Sequence, residues 1–179
     1  MNASIISTWL LLLATAAYIQ NIDGARSDTP LMKAVRANNI NLVTRLLANG
    51  ADAKATNYYG ETALMLAVFY GNEESVELLL PNSNVKATNK VGETALMYAA
   101  MSGNEKSVEL LLPNYNVKAT NNDGYTALIY AASSGNEKSL ELLLPNSNVK
   151  ATINNGDTAL DMAKNYGYDQ IASLLQQHD

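Results

Sequence analysis

The chain has 179 residues, 47% of them hydrophobic and 16% charged, a balance that suits one folded domain with its own core and excludes a charge-driven disordered chain. The formal charge of -5 gives no electrostatic reason to expect nucleic acid or an acidic membrane surface, both of which reward clusters of Lys and Arg. Cysteine is absent, which excludes disulfide and thiolate chemistry and fits oxidising and reducing compartments equally.

From Ala3 to Ile19 the only polar residues are Ser4, Ser7, Thr8 and Thr15, and the run is followed by small residues. This is the pattern of a secretory signal with cleavage after Ala16, Ala17 or Ala25, and it predicts a periplasmic or secreted protein. The n-region has no Lys or Arg, and residues 3–19 sit at the lower length limit for a spanning helix, so an uncleaved membrane anchor is the alternative. Residues 1–25 are therefore read as signal and link, and 26–179 as the folded domain.

The first unit, 28–60, opens with Asp28-Thr29-Pro30-Leu31, where Thr29 is placed to cap a helix and Pro30 fits its first position. A block of 32 residues then follows three times, over 61–92, 93–124 and 125–156. Self-similarity at such a period predicts a solenoid in which each unit buries its apolar face against its neighbours. Thr62, Thr94 and Thr126 take the cap position, and a helix of about nine residues runs to Gly71, Gly103 or Gly135, where a left-handed turn costs little. Asn72, Asn104 and Asn136 are placed to cap a second helix, with Glu73, Glu74, Glu105 and Glu137 in its first turn. The places of Val76, Leu79 and Leu80 are aliphatic in every copy, at core spacing, and Pro81, Pro113 and Pro145 end that helix. An extended stretch with a glycine turn, such as Val85 to Gly92, predicts a hairpin-like loop. The polar end of the last unit, 157–179, marks it as a capping unit.

Helix, glycine turn, helix and loop before Thr-x-Leu resembles the ankyrin repeat. The first unit carries the likeness best, with Thr29-Pro30-Leu31 and Asn49-Gly50-Ala51-Asp52-Ala53. The resemblance implies an all-α, ankyrin-type helix-turn-helix-loop solenoid. The family's histidine after Thr-Pro-Leu is Met32, Met65, Met97, Ile129 and Asp161 here, which implies loss of its bonds between loops. Asn57, Asn89 and Asn121 replace the Asp that opens the hairpin, and an uncharged ladder is expected. The 32-residue units are one residue shorter than the first, which predicts a shortened exit from the second helix with Asn82, Asn114 and Asn146 in place of the family's glycine.

Chemistry has little to stand on. His178 is the sole histidine and next to last, so a frayed terminal place outweighs an acid-base role. Asp157 and Asp161, four apart, read as a solvated end-cap face in preference to a carboxylate pair or oxygen cation site. The glycines fall at turns once per unit and form no phosphate loop. We expect no catalytic residue, no metal and no cofactor, and an enzyme survives only as a minor alternative.

The resemblance implies binding through the hairpin tips and the exposed side of the first helices. The tips offer Tyr58, Tyr59, Lys90, Val91, Asn122, Asp123 and Asn154; the first helices and their approach offer Leu66, Phe69, Tyr70, Tyr98, Met101, Tyr125 and Tyr130. Copies diverge at these places, and the aromatic content suits an interface. Arg26 to Gly60 carries a net +3 and residues 61–179 a net -7, a gradient able to orient a partner. The expected protein is an exported monomer that holds another protein on its concave face, as an inhibitor or immunity protein over a toxin or hydrolase. A secreted effector or scaffold engaging host proteins is the alternative.

Overall fold

The computed structural model describes residues 28–178, so the expected export segment, its cleavage sites and its anchor alternative lie outside the described residues. Within them ten α-helices follow in five pairs: α1 (Pro30–Arg36) and α2 (Ile40–Ala48), α3 (Ala63–Phe69) and α4 (Glu73–Leu79), α5 (Ala95–Ser102) and α6 (Glu105–Leu111), α7 (Ala127–Ser133) and α8 (Glu137–Leu143), α9 (Ala159–Tyr166) and α10 (Asp169–Gln176). Extended pairing among the described residues is limited to the isolated bridges Thr56 to Thr62 and Thr152 to Thr158. The architecture is the expected all-α repeat solenoid. No helix among the described residues is long and apolar enough to cross a membrane.

Each first helix starts where its threonine predicts. The hydroxyls of Thr29, Thr62, Thr94, Thr126 and Thr158 all accept the backbone N–H three residues on, satisfying a donor the helix cannot. Met32, Met65 and Met97 answer with sulfur, a weak acceptor 3.4 to 3.5 Å from the cap residue's own N–H. The histidine position therefore still closes its own turn. The first helices span seven or eight residues, not nine. In the first unit Asn38, at φ 48°, takes the left-handed turn that the following copies give to glycine.

The second helices depart from expectation at both ends. Asn39 and Asn104 cap α2 and α6, but Asn72 and Asn136 make no side-chain cap. Their amides reach back a whole unit, Asn72 Nδ2 to the Val35 carbonyl at 2.6 Å and Asn136 Nδ2 to the Ala100 carbonyl at 2.8 Å. Carbonyls at the end of the preceding first helix have no intrahelical partner and are buried, so they take the amide. At the exit, Leu80–Asn82, Leu112–Asn114 and Leu144–Asn146 form 3-10 turns. Proline's fixed φ suits such a turn. The asparagines do not stand in for the family's glycine: among non-glycine described residues only Asn38 has positive φ. The missing residue is the left-handed one that Gly50 supplies, at φ 80°, in the first unit.

The core runs the length of the stack. Val76, Leu79, Val108, Leu111, Leu140 and Leu143 are wholly enclosed, whereas Leu80 and Leu112 fall in the 3-10 turns and are half-buried. First helices pack on the first helices before and after them more extensively than second helices do on theirs. They therefore form the more closely packed, inner layer, and a helix buried on nearly every side must be largely apolar all round, as buried Ala95 to Ala100 are apart from the Tyr98 hydroxyl. Neighbouring hairpins are tied by backbone bonds of 2.9 Å, from Lys90 N to Tyr59 O, Asn122 N to Val91 O and Asn154 N to Asp123 O. Gly92 allows this approach, because a Cβ there would lie 2.8 Å from Asn122 Oδ1 and its φ is 84°.

Candidate interaction surface

A hydrogen-bonded ladder crosses the inner layer from unit to unit. The hairpin asparagine is its rung: Asn57 Oδ1 accepts the N–H groups of Tyr59 and Glu61, at 2.9 and 3.0 Å, while its Nδ2 donates to Asp28 and to Glu61. Asn89 repeats this, accepting from Val91 and Glu93 and donating to Glu93 Oε2 at 2.7 Å and to the Tyr98 hydroxyl at 3.1 Å. The Tyr98 hydroxyl in turn donates to Glu61 Oε1 at 3.0 Å. In the next unit Asn121 Nδ2 donates to the Tyr130 hydroxyl, and Tyr130 donates to Glu93 Oε1 at 2.5 Å. The ladder is not the uncharged one expected, since an amide offers donors that an aspartate lacks and so can hold the carboxylates of Glu61 and Glu93.

This network corrects two of the expected surface residues. Tyr98 is 7% exposed and Leu66 2%. Both occupy the position of the first helix that faces the adjoining unit, where Tyr130 is half-buried and Met162 buried. Burial and the nearby Glu61 push the Tyr98 phenol well above its usual range; burial and the bond to Glu93 do the same at Tyr130. An anionic phenolate would lose water and face a carboxylate, so the hydroxyl keeps its proton.

The other expected residues divide. Tyr58, Tyr59, Phe69, Tyr70 and Val91 are exposed large hydrophobic side chains. Tyr58 and Tyr59 meet edge to face at 5.4 Å, as do Phe69 and Tyr70 at 5.2 Å. Lys90 lies over the Tyr58 ring, its Nζ 3.7 Å from the centroid, and Arg36 lies over Tyr70 and donates to its hydroxyl. Met101 and Tyr125 are half-buried, the latter tilted against Tyr130 at 4.9 Å. Asn122, Asp123 and Asn154 are exposed at the tips. The amides of Asn122 and Asn154 are spent on the neighbouring hairpin's carbonyls, Lys90 O and Asn122 O.

A cleft of about 330 Å³ runs across the first three units, lined by Arg36 and Tyr59 of the first, Glu61, Phe69 and Tyr70 of the second, and Glu93 and Met101 of the third. Glu61, Glu93 and Arg36 were absent from the expected surface. A signal existed: Glu61 and Glu93 hold equivalent places one 32-residue period apart, as do Tyr98 and Tyr130, so the copies repeat both partners of the bond. At the far end Asp157 and Asp161 do not pair on a helix. Asp157 precedes α9 and accepts from Asn155, while Asp161 turns back to the Thr158 N–H and hydroxyl, bonds that lower its pKa.

Comparison with known proteins agrees with this geometry. The family described as ankyrin repeats (three copies) matches residues 4–90, 81–154 and 116–179. Similar relatives include the mitochondrial disaggregase of Bos taurus, 39% identical over 75 residues, or 42% of this chain and 11% of that protein. The Homo sapiens disaggregase is 45% identical over 56 residues, 31% of this chain and 8% of the relative. The probable E3 ubiquitin-protein ligase XBOS33 of Oryza sativa subsp. japonica is 43% identical over 53 residues, 30% and 10%. The chain thus spans about a tenth of the length of these relatives, and the activities in their names belong to those larger proteins. With helix-turn-helix-hairpin units stacked along the described residues and the family match extending across them, the chain belongs to the ankyrin-repeat family, a fold that serves as a protein-protein interaction module.

Proposed function

We propose that the concave face around the second unit is where this chain holds a partner protein. The observation that carries the reading is the crowding of exposed apolar surface: of the six exposed large hydrophobic side chains among the described residues, Tyr58, Tyr59, Phe69, Tyr70 and Val91 gather at the end of α3 and on the two hairpins beside it, and the sixth, Tyr166, stands elsewhere. Contiguous apolar surface of this kind costs solubility unless something covers it. Rigid aromatic side chains anchor interfaces because they bury much area for little entropy. Occlusion is the proposed mechanism, with the chain acting as an inhibitor or immunity protein that covers a toxin or hydrolase. The apolar run of residues 3–19 with Ala16, Ala17 and Ala25 behind it supports export to the periplasm or medium.

Affinity capture from periplasm and culture medium tests both halves. The wild-type chain should retain one stoichiometric protein that Phe69→Ala and Tyr59→Ala each weaken about 30-fold without lowering the melting midpoint. Lys106→Ala, an exposed charge on the outer helix α6, should change neither. Equal capture by Phe69→Ala and Lys106→Ala would move the partner to another surface. An exported chain should contain no tryptophan, since Trp9 is the only one; an intact mass retaining Met1 in a membrane pool would instead support the anchor.

A further inference from the structure

The carboxylates of the inner ladder are neutralised at one end of the stack and left bare further along. Asp28, Glu61 and Glu93 occupy equivalent places at the start of the first three units. Arg36 serves the first two, with Nε 2.6 Å from Asp28 Oδ2 and Nη2 3.7 Å from Glu61 Oε2. Phe69 and Met101 stand where Arg36 would be repeated in the second and third units. No Lys or Arg among the described residues forms an ion pair with Glu93.

Glu93 is half-buried and held by two neutral donors, Asn89 Nδ2 on Oε2 at 2.7 Å and the Tyr130 hydroxyl on Oε1 at 2.5 Å. A carboxylate has about four acceptor sites, so these two bonds leave acceptor capacity on each oxygen. Aromatic and thioether surface from Phe69 and Met101 lines the same cleft, and the one arginine that also lines it, Arg36, is committed to Asp28 and Glu61. We infer that this cleft receives an arginine side chain of the partner protein, its guanidinium forked onto both Glu93 oxygens and its methylene stem against Phe69 and Met101. Arginine fits better than lysine because its donors are planar and paired and its face stacks on an aromatic ring. The net -7 of residues 61–179 favours approach of such a segment. The inference rests on the concave-face reading and adds the chemistry of the anchor.

N-acetyl-arginine amide is the probe, titrated into the full chain while NMR signals of Phe69, Glu93 and Met101 are followed. N-acetyl-citrulline amide, of the same shape without the charge, should bind at least about tenfold more weakly, and Glu93→Gln should lose the arginine response. Phe69→Arg recreates the first unit's arrangement inside the second and leaves the ladder intact; it should fold and no longer bind the probe, and it decides the matter if Glu93→Gln does not fold. No response at these residues, an equal response to citrulline, or binding that survives either variant overturns the arginine site. Capture of a protein partner separates the two readings. If Phe69→Ala abolishes capture and Glu93→Gln leaves it intact, the concave face stands and the arginine anchor falls; if capture survives both, the concave face falls as well.

Discussion

The Tyr98 hydroxyl donates to Glu61 Oε1 across 3.0 Å of space and 37 positions of sequence, and it accepts from Asn89 Nδ2 at 3.1 Å. Removing the hydroxyl takes the partner from Glu61 Oε1 and one of the two from Asn89 Nδ2. Tyr98→Phe should therefore cost about 1 to 3 kcal/mol, the range for a buried donor or acceptor that loses its partner. Tyr98→Ala should cost about 3 to 5 kcal/mol by adding a cavity. Chemical denaturation of both variants checks this, and a midpoint unmoved by Tyr98→Ala would mean the ring lies on the surface.

Leu111 is wholly enclosed at the end of α6, in the middle of the stack. Leu111→Ala should lose about 2 to 5 kcal/mol. Each unit leans on its neighbours, so a single cooperative transition should shift as a whole. A loss below about 0.5 kcal/mol, the range of surface substitutions, would place Leu111 outside the core.

Ser75, Ser107 and Ser139 occupy the same place in three second helices, and each buries a hydroxyl with no hydrogen-bond partner among the described residues. A buried unsatisfied hydroxyl is a cost that alanine avoids. Ser107→Ala should leave stability unchanged or raise it by up to about 1 kcal/mol. A clear loss in urea titration would reveal a partner for the hydroxyl.

Alkaline pH should act through the enclosed phenols. Burial first, then the neighbouring glutamates, raises Tyr98 and Tyr130, and burial alone pushes Tyr115 up to about 12. The ordinary phenol titrates near 10, so the folded state holds these protons more tightly than the unfolded one. Their contribution to stability is thus complete below about pH 10 and disappears as pH rises through the higher folded-state values. Helical circular dichroism and phenolate absorbance, followed together, should show these tyrosines ionising as the chain unfolds. Full ionisation with the helices intact would contradict their enclosure.

Part of this was legible without a fold because it is decided within a few residues. The period, the threonine caps and the glycine turns depend on bonds that span three or four positions, and the Val and Leu stripe of the second helices is set by helical spacing. The exposed cluster of Tyr58, Tyr59, Phe69, Tyr70 and Val91 was among the expected surface residues for a related reason: each copy has something different there, so packing does not dictate it.

What only the tertiary structure decided lies between units. Tyr98 and Leu66 belong to the same helical face as residues that could have met solvent, and the close packing of first helix on first helix encloses them instead. Asn72 and Asn104 are identical in local sequence role, yet one bonds a carbonyl 37 positions away and the other caps its own helix. Glu61 and Glu93, absent from the expected surface, are held by hydroxyls that the following units bring to them. By itself the sequence determined the unit, because a unit is built from local bonds and a repeated apolar stripe; the stacking decided which polar groups meet, because those partners stand a whole unit apart and approach only when the neighbouring layers pack.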